Sequence, residues 1–111
     1  MKIVLDPTPA EFTILELAGK IWRFPHAKKD SGAAIIRQLA QLKIGKNDEL
    51  TVVVGPGNFT ALRTACLIGN AVKFLTNCQL SAKKVGELKF KKVGLLQPFY
   101  ASEPKITLPR K

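Results

Sequence analysis

Few side chains in this 111-residue chain are of the types that perform catalysis or bind metal ions. The single histidine, His26, has no second histidine for a metal site and no acid and nucleophile at a spacing typical of a catalytic triad. Asp6 follows an apolar run, where a carboxylate could hold a metal or a metal-bound phosphate, although a turn cap beside Pro7 is the simpler interpretation. We therefore expect no catalytic residue and no metal ligand.

The two cysteines also argue against redox or metal chemistry. Cys66 and Cys78 have eleven residues between them, which fits neither a metal site nor a C-x-x-C pair. Both are expected to be reduced thiols, as in a cytosolic protein. No stretch resembles a signal peptide, and no apolar run reaches the roughly 18 residues of a membrane span. These features predict a cytoplasmic protein with no membrane partner.

A glycine loop between a strand and a helix is the strongest local motif. It follows the β-branched run at residues 51–54, which is typical of a central parallel strand. The loop consists of Gly55, Pro56, Gly57 and Asn58. A helix N-terminus can hold phosphate, but the lysine of a phosphate loop is absent and Thr60 replaces the third glycine of the dinucleotide pattern. The alternative is a tight turn that needs the backbone freedom of glycine.

The apolar periodicity predicts an α/β chain. Strands are expected at residues 2–5, 12–17, 21–24, 51–54 and 79–82, and helices from Asp30 or Ser31 to Gly45 and over 59–75. Asp30 or Ser31 is expected to cap the first helix with its side chain, and Gly45 to stop it. Residues 1–82 are expected to form one unit. Residues 83–111 form a basic segment that packs on this unit or extends from it, with a short strand or two near 88–96.

The second helix has apolar residues on two sides. One stripe, which should pack on the sheet, consists of Ala61, Ala65, Ile68, Val72 and Leu75. A second stripe consists of Leu67, Ala71 and Phe74. It is expected either to pack against the first helix or to bind another protein, because an exposed apolar patch is a liability in a soluble monomer.

The net charge of +10 suits either a polyanionic partner or simple solubility. Basic residues are concentrated in the last third of the chain. The candidate RNA contacts there are Lys83, Lys84, Lys89, Lys91 and Lys92. Such contacts would pair lysines with phosphates and would weaken steeply as salt rises.

Residues 55–63, GPGNFTALR, resemble the GPGSFTGLR motif of the TsaB family, with seven of nine positions in agreement. Members of this family are subunits of the bacterial machinery for tRNA threonylcarbamoyladenosine and are related to glycoprotease-like proteins and actin-like ATPases. The opening residues 3–6 and the end segments 98–100 and 103–107 are also similar to the family. The resemblance implies the single N-terminal lobe of an actin-like ATPase (ribonuclease H-like) fold, with a five-stranded mixed sheet, two main helices and an extended C-terminal tail. It also implies a reduced form that lacks the second lobe.

The resemblance further implies a non-catalytic scaffold subunit that pairs with a TsaD-type catalytic subunit through its helices. The partner-binding residues would be Ala33, Ile36, Ala40, Phe59, Thr60, Arg63, Thr64, Leu67, Asn70, Ala71 and Phe74. The chain would bind no cofactor by itself. A nucleotide at the partner interface, an ATPase subunit of the same complex and a homodimer without the partner are left open. One alternative function is a basic tRNA-binding module that acts without the partner, and another is an independent nucleotide-dependent enzyme.

Overall fold

A computed structural model describes residues 1–57, 59–85 and 91–96. The elements in chain order are β1 (Lys2–Asp6), β2 (Phe12–Leu17), β3 (Lys20–Pro25), α1 (Ser31–Gln41), β4 (Glu49–Val53), α2 (Phe59–Thr76), β5 (Gln79–Lys83) and β6 (Lys91–Lys92). Within the described ranges no helix is long and apolar enough to span a lipid bilayer.

The strands form one mixed sheet with the order β3-β2-β1-β4-β5-β6. β1, β2 and β3 are an antiparallel meander, whereas β4 lies between β1 and β5 and is parallel to both. The two-residue β6 pairs antiparallel with β5 at the other edge. The expected α/β fold with five main strands and two helices is confirmed. β4 lies between β1 and β5, and four of its five residues are buried, as its continuous β-branched run predicts for a central parallel strand.

One apolar core lies between the sheet and the two helices. The strands contribute side chains such as Leu5 and Leu50, which are fully buried. α1 contributes Ile35 and Leu39, four positions apart on one face, and α2 packs its alanine-rich face on β4 and β5. Complete burial of a leucine or isoleucine side chain stabilises the fold by about 1.5–3 kcal/mol. This packing fixes which sides of the helices remain outside.

The ends of α1 differ from the prediction. Asp30 occupies the N-cap position, but its side chain makes no capping hydrogen bond, and the hydroxyl of Ser31 donates to the carbonyl of Pro25 instead. The helix ends at Gln41 rather than at Gly45, because the backbone already turns at Lys43, where φ is +52°. The predicted side-chain cap and glycine stop are therefore wrong.

Candidate functional site

The glycine loop is a packed turn. Gly55 has a φ of +127°, a backbone angle that residues with a Cβ atom rarely adopt. Gly57 lies so close to the β1–β2 turn that a Cβ there would be 2.9 Å from Cα of Thr8. Thr8 is itself held by Asp6, whose carboxylate accepts its backbone N–H at 3.0 Å and its hydroxyl at 2.5 Å. Asp6 is thus the turn cap of the simpler interpretation, and the glycines serve close packing.

Of the predicted loop motif, Asn58 lies outside the described residues. The adjoining Pro56 is half-buried and follows Gly55 through a cis peptide bond. The described part of the loop presents no lysine or arginine of its own for a phosphate. The backbone angle of Gly55 is one that the tight-turn alternative expects.

His26 uses both ring nitrogens within the chain. Nδ1 lies 3.3 Å from the carbonyl oxygen of Ala10, and Nε2 lies 2.9 Å from Oγ1 of Thr13. A carbonyl oxygen only accepts, so Nδ1 donates to Ala10, and the Thr13 hydroxyl is the hydrogen-bond partner of Nε2. His26 therefore braces the β2–β3 hairpin. Among the described residues, no group of three His, Cys, Asp or Glu side chains could hold a metal ion.

A cleft of about 350 Å³ lies beside this histidine, where the N-terminal ends of both helices approach β2. Its lining consists of Thr13, His26, Ser31, Gly32, Ile35, Thr60, Ala61 and Thr64. Apart from the imidazole the lining offers hydroxyl groups and apolar carbons, so it provides hydrogen bonds without strong charge. Sequence reasoning missed this cleft because its walls come from four separate segments.

Both cysteines of the chain lie in the interior of the fold. Cys66 and Cys78 are both buried free thiols. Burial raises the pKa of the Cys66 thiol to about 11. Because the thiolate is the reactive form, Cys66 is a core residue and a poor nucleophile near neutral pH.

The second apolar stripe of α2 faces outward. Leu67 is 67% exposed, Phe74 is 87% exposed, and Ala71 between them is exposed too. The alternative that this stripe packs against α1 is wrong, because all three side chains are exposed although α1 approaches α2 where Gly32 lies against Thr64. The outer side of α2 thus carries two large apolar side chains that no described element covers.

The inner stripe of α2 is buried as predicted at Ala61, Ala65 and Ile68, but not at its end. Leu75 is 78% exposed, so its predicted packing on the sheet is wrong. With 100° between successive residues, the buried arc is centred near Ala65, and Leu75 lies at its margin on the side of α1. It borders a groove there instead of the sheet.

That groove, of about 330 Å³, separates the C-terminal halves of the two helices. Its lining consists of Ile36, Leu39, Ala40, Lys43, Ile44, Val72, Leu75 and Thr76. On α1, Ile36 is 53% exposed, and Ala33 and Ala40 on the same side are exposed as well. Because residues of both helices line the groove, the outer sides of α1 and α2 form one continuous surface across it.

We call this surface the helical face. Its members are Ala33, Ile36, Ala40, Phe59, Thr60, Arg63, Leu67, Ala71, Phe74 and Leu75. Arg63 is exposed, and its guanidinium lies over the Phe59 ring, 5.6 Å from the ring centroid. Thr64 of the predicted set is half-buried at the contact with Gly32 and lies at the margin of the helical face. The helical face is where the described part of the chain brings together most of the predicted partner-binding residues.

Asn70 belongs to an internal contact and not to the helical face. Its Nδ2 donates to the carbonyl of Leu96 at 3.2 Å, and its Oδ1 accepts the backbone N–H of Leu96 at 2.6 Å. Leu96 is 3% exposed and packs on Gly69, where any Cβ would collide with it. This amide pair fastens the segment that follows β6 to α2 and gives Asn70 a structural role.

Of the predicted RNA-contacting lysines, Lys83, Lys84 and Lys92 lie at or beside the β5–β6 ribbon. Lys84 and Lys92 are exposed, and Lys83 is half-buried. The backbone of Lys91 pairs with Ala82, while its side chain and all of Lys89 lie outside the described residues. The ribbon is thus a second candidate surface, which is basic, whereas the helical face is mainly apolar.

The fold is similar to that of a solved structure. No protein-family model matches the chain, and no match is found among curated proteins. The solved structure of YeaZ from Pseudomonas aeruginosa superimposes with a TM-score of 0.52 and 20% sequence identity, over 75% of this chain and 43% of that chain. The chain thus spans less than half of the YeaZ chain, and the similarity shows the α/β fold of a single YeaZ-like lobe.

Proposed function

We propose that this chain is a non-catalytic, partner-binding subunit of a tRNA threonylcarbamoyladenosine modification complex in the cytoplasm. The observation that carries the proposal is the exposure of Leu67 and Phe74 on the outer side of α2. Two further observations support it: the fold is similar to YeaZ, the TsaB protein, and residues 55–63 resemble the TsaB motif. The proposed partner is a TsaD-type catalytic subunit.

The energetics of the helical face support a docking role. Covering one large apolar side chain contributes about 1.5–3 kcal/mol. The helical face offers several such side chains, among them Ile36, Leu67, Phe74 and Leu75. A stable protein interface buries roughly 1,200–2,000 Å² in total, which two helices from each partner can supply. The small residues Ala33 and Ala40 would let a partner helix approach closely.

The side chains that could perform chemistry already have structural roles, which supports binding over catalysis. Asp6 accepts hydrogen bonds from Thr8, and the ring nitrogens of His26 are hydrogen-bonded to Ala10 and Thr13. The Cys66 thiol is buried, and its pKa is raised. Each of these groups therefore has a structural partner or a structural reason for its position. In the proposed complex the chemistry belongs to the catalytic subunit.

The experiment is co-purification of this chain with a TsaD-type subunit, followed by light scattering and calorimetry. We expect Leu67→Glu and Phe74→Asp each to weaken binding by about 100-fold, since each loses roughly 3 kcal/mol of apolar contact. Both positions are exposed, so the free energy of unfolding should change by less than about 0.5 kcal/mol.

Ile21→Glu is the matched control, because Ile21 is a 48% exposed apolar residue on the edge strand β3. It should leave the pairing unchanged. Pairing that survives both Leu67→Glu and Phe74→Asp, or a wild-type chain that does not bind the catalytic subunit, would contradict the proposal.

A second candidate function is direct binding of tRNA, favoured by the lysines of the β5–β6 ribbon and the net charge of +10. Binding through phosphates would weaken on a log–log plot with a slope of about −0.7 to −0.9 per contact as salt rises. Lys84→Glu combined with Lys92→Glu should then abolish it. The absence of salt-sensitive tRNA binding by the isolated chain would exclude this candidate.

A further inference from the structure

We draw no further inference here: the strongest candidate, the cleft of about 350 Å³ at the N-terminal ends of α1 and α2, carries nothing, because its Thr13, His26 and Ser31 side chains are hydrogen-bonded within the chain and no other feature of the described residues points to a ligand there.

Discussion

Replacing Gly57 with alanine tests whether the glycine loop exists for close packing. A Cβ at this position would lie 2.9 Å from Cα, 3.3 Å from Cβ and 3.3 Å from the carbonyl oxygen of Thr8. Two of these atoms belong to the backbone, and Asp6 holds Thr8 through two hydrogen bonds. The contact therefore cannot be relieved by rotating the end of a side chain, and the two loops must move apart.

The expected cost follows from two opposing effects. Overpacking of a well-packed region costs about 1–3 kcal/mol. Alanine restricts the unfolded chain more than glycine does, which returns about 0.4–1 kcal/mol. We expect Gly57→Ala to lower the free energy of unfolding by about 1–2 kcal/mol, which lowers a urea midpoint by roughly 0.5–1 M if the slope is about 2 kcal/mol/M.

Gly94→Ala is the matched control for a urea titration followed by circular dichroism. A Cβ on Gly94 meets no atom within 4 Å, and its φ lies outside the left-handed region. This variant should be unchanged or more stable by up to about 1 kcal/mol. Equal midpoints for Gly57→Ala and Gly94→Ala would refute the packing role of the loop.

Two further changes test other contacts. Asn70→Ala removes both hydrogen bonds to Leu96, so it should destabilise the chain by about 1–3 kcal/mol and speed amide hydrogen exchange at Leu96, with unchanged exchange there counting against the clasp. The Gly45 amide, and then the N-terminal ammonium, hold the pKa of Asp48 below its ordinary value of 3.8. Its stabilising effect is therefore complete above that value and is lost as pH falls through the lowered pKa, so in urea titrations the stability advantage over Asp48→Asn should vanish in strong acid; an advantage independent of pH would contradict this assignment.

Local sequence patterns were sufficient for the order and type of the main elements. The β-branched run at β4 and the glycine after it marked a buried parallel strand, and the spacing of Leu67, Ala71 and Phe74 marked an outer stripe on α2. These features depend on neighbours three or four positions away, so periodicity alone reveals them. The exposure of the stripe needed the structure, because the first helix could have covered it.

Contacts between distant segments were beyond the reach of the sequence. The clasp of Asn70 joins residues 26 positions apart, and nothing in the polarity of asparagine distinguishes this role from a place on the outer stripe. The groove depends on how far α1 and α2 diverge, which is set by their packing on the sheet. Leu75 was misplaced for the same reason: it lies at the margin of the buried arc, and whether a residue there is covered depends on how far α1 lies from α2.

The clasp between Asn70 and Leu96 has a thermodynamic consequence for α2. With the sheet beneath it, α1 on one flank and the clasped segment on the other, this helix is restrained in rotation about its own axis as well as in translation. The direction in which its outward side chains point is therefore fixed before a partner binds. Little backbone entropy is left to lose on association, so this pre-organisation leaves more of the contact energy as net affinity.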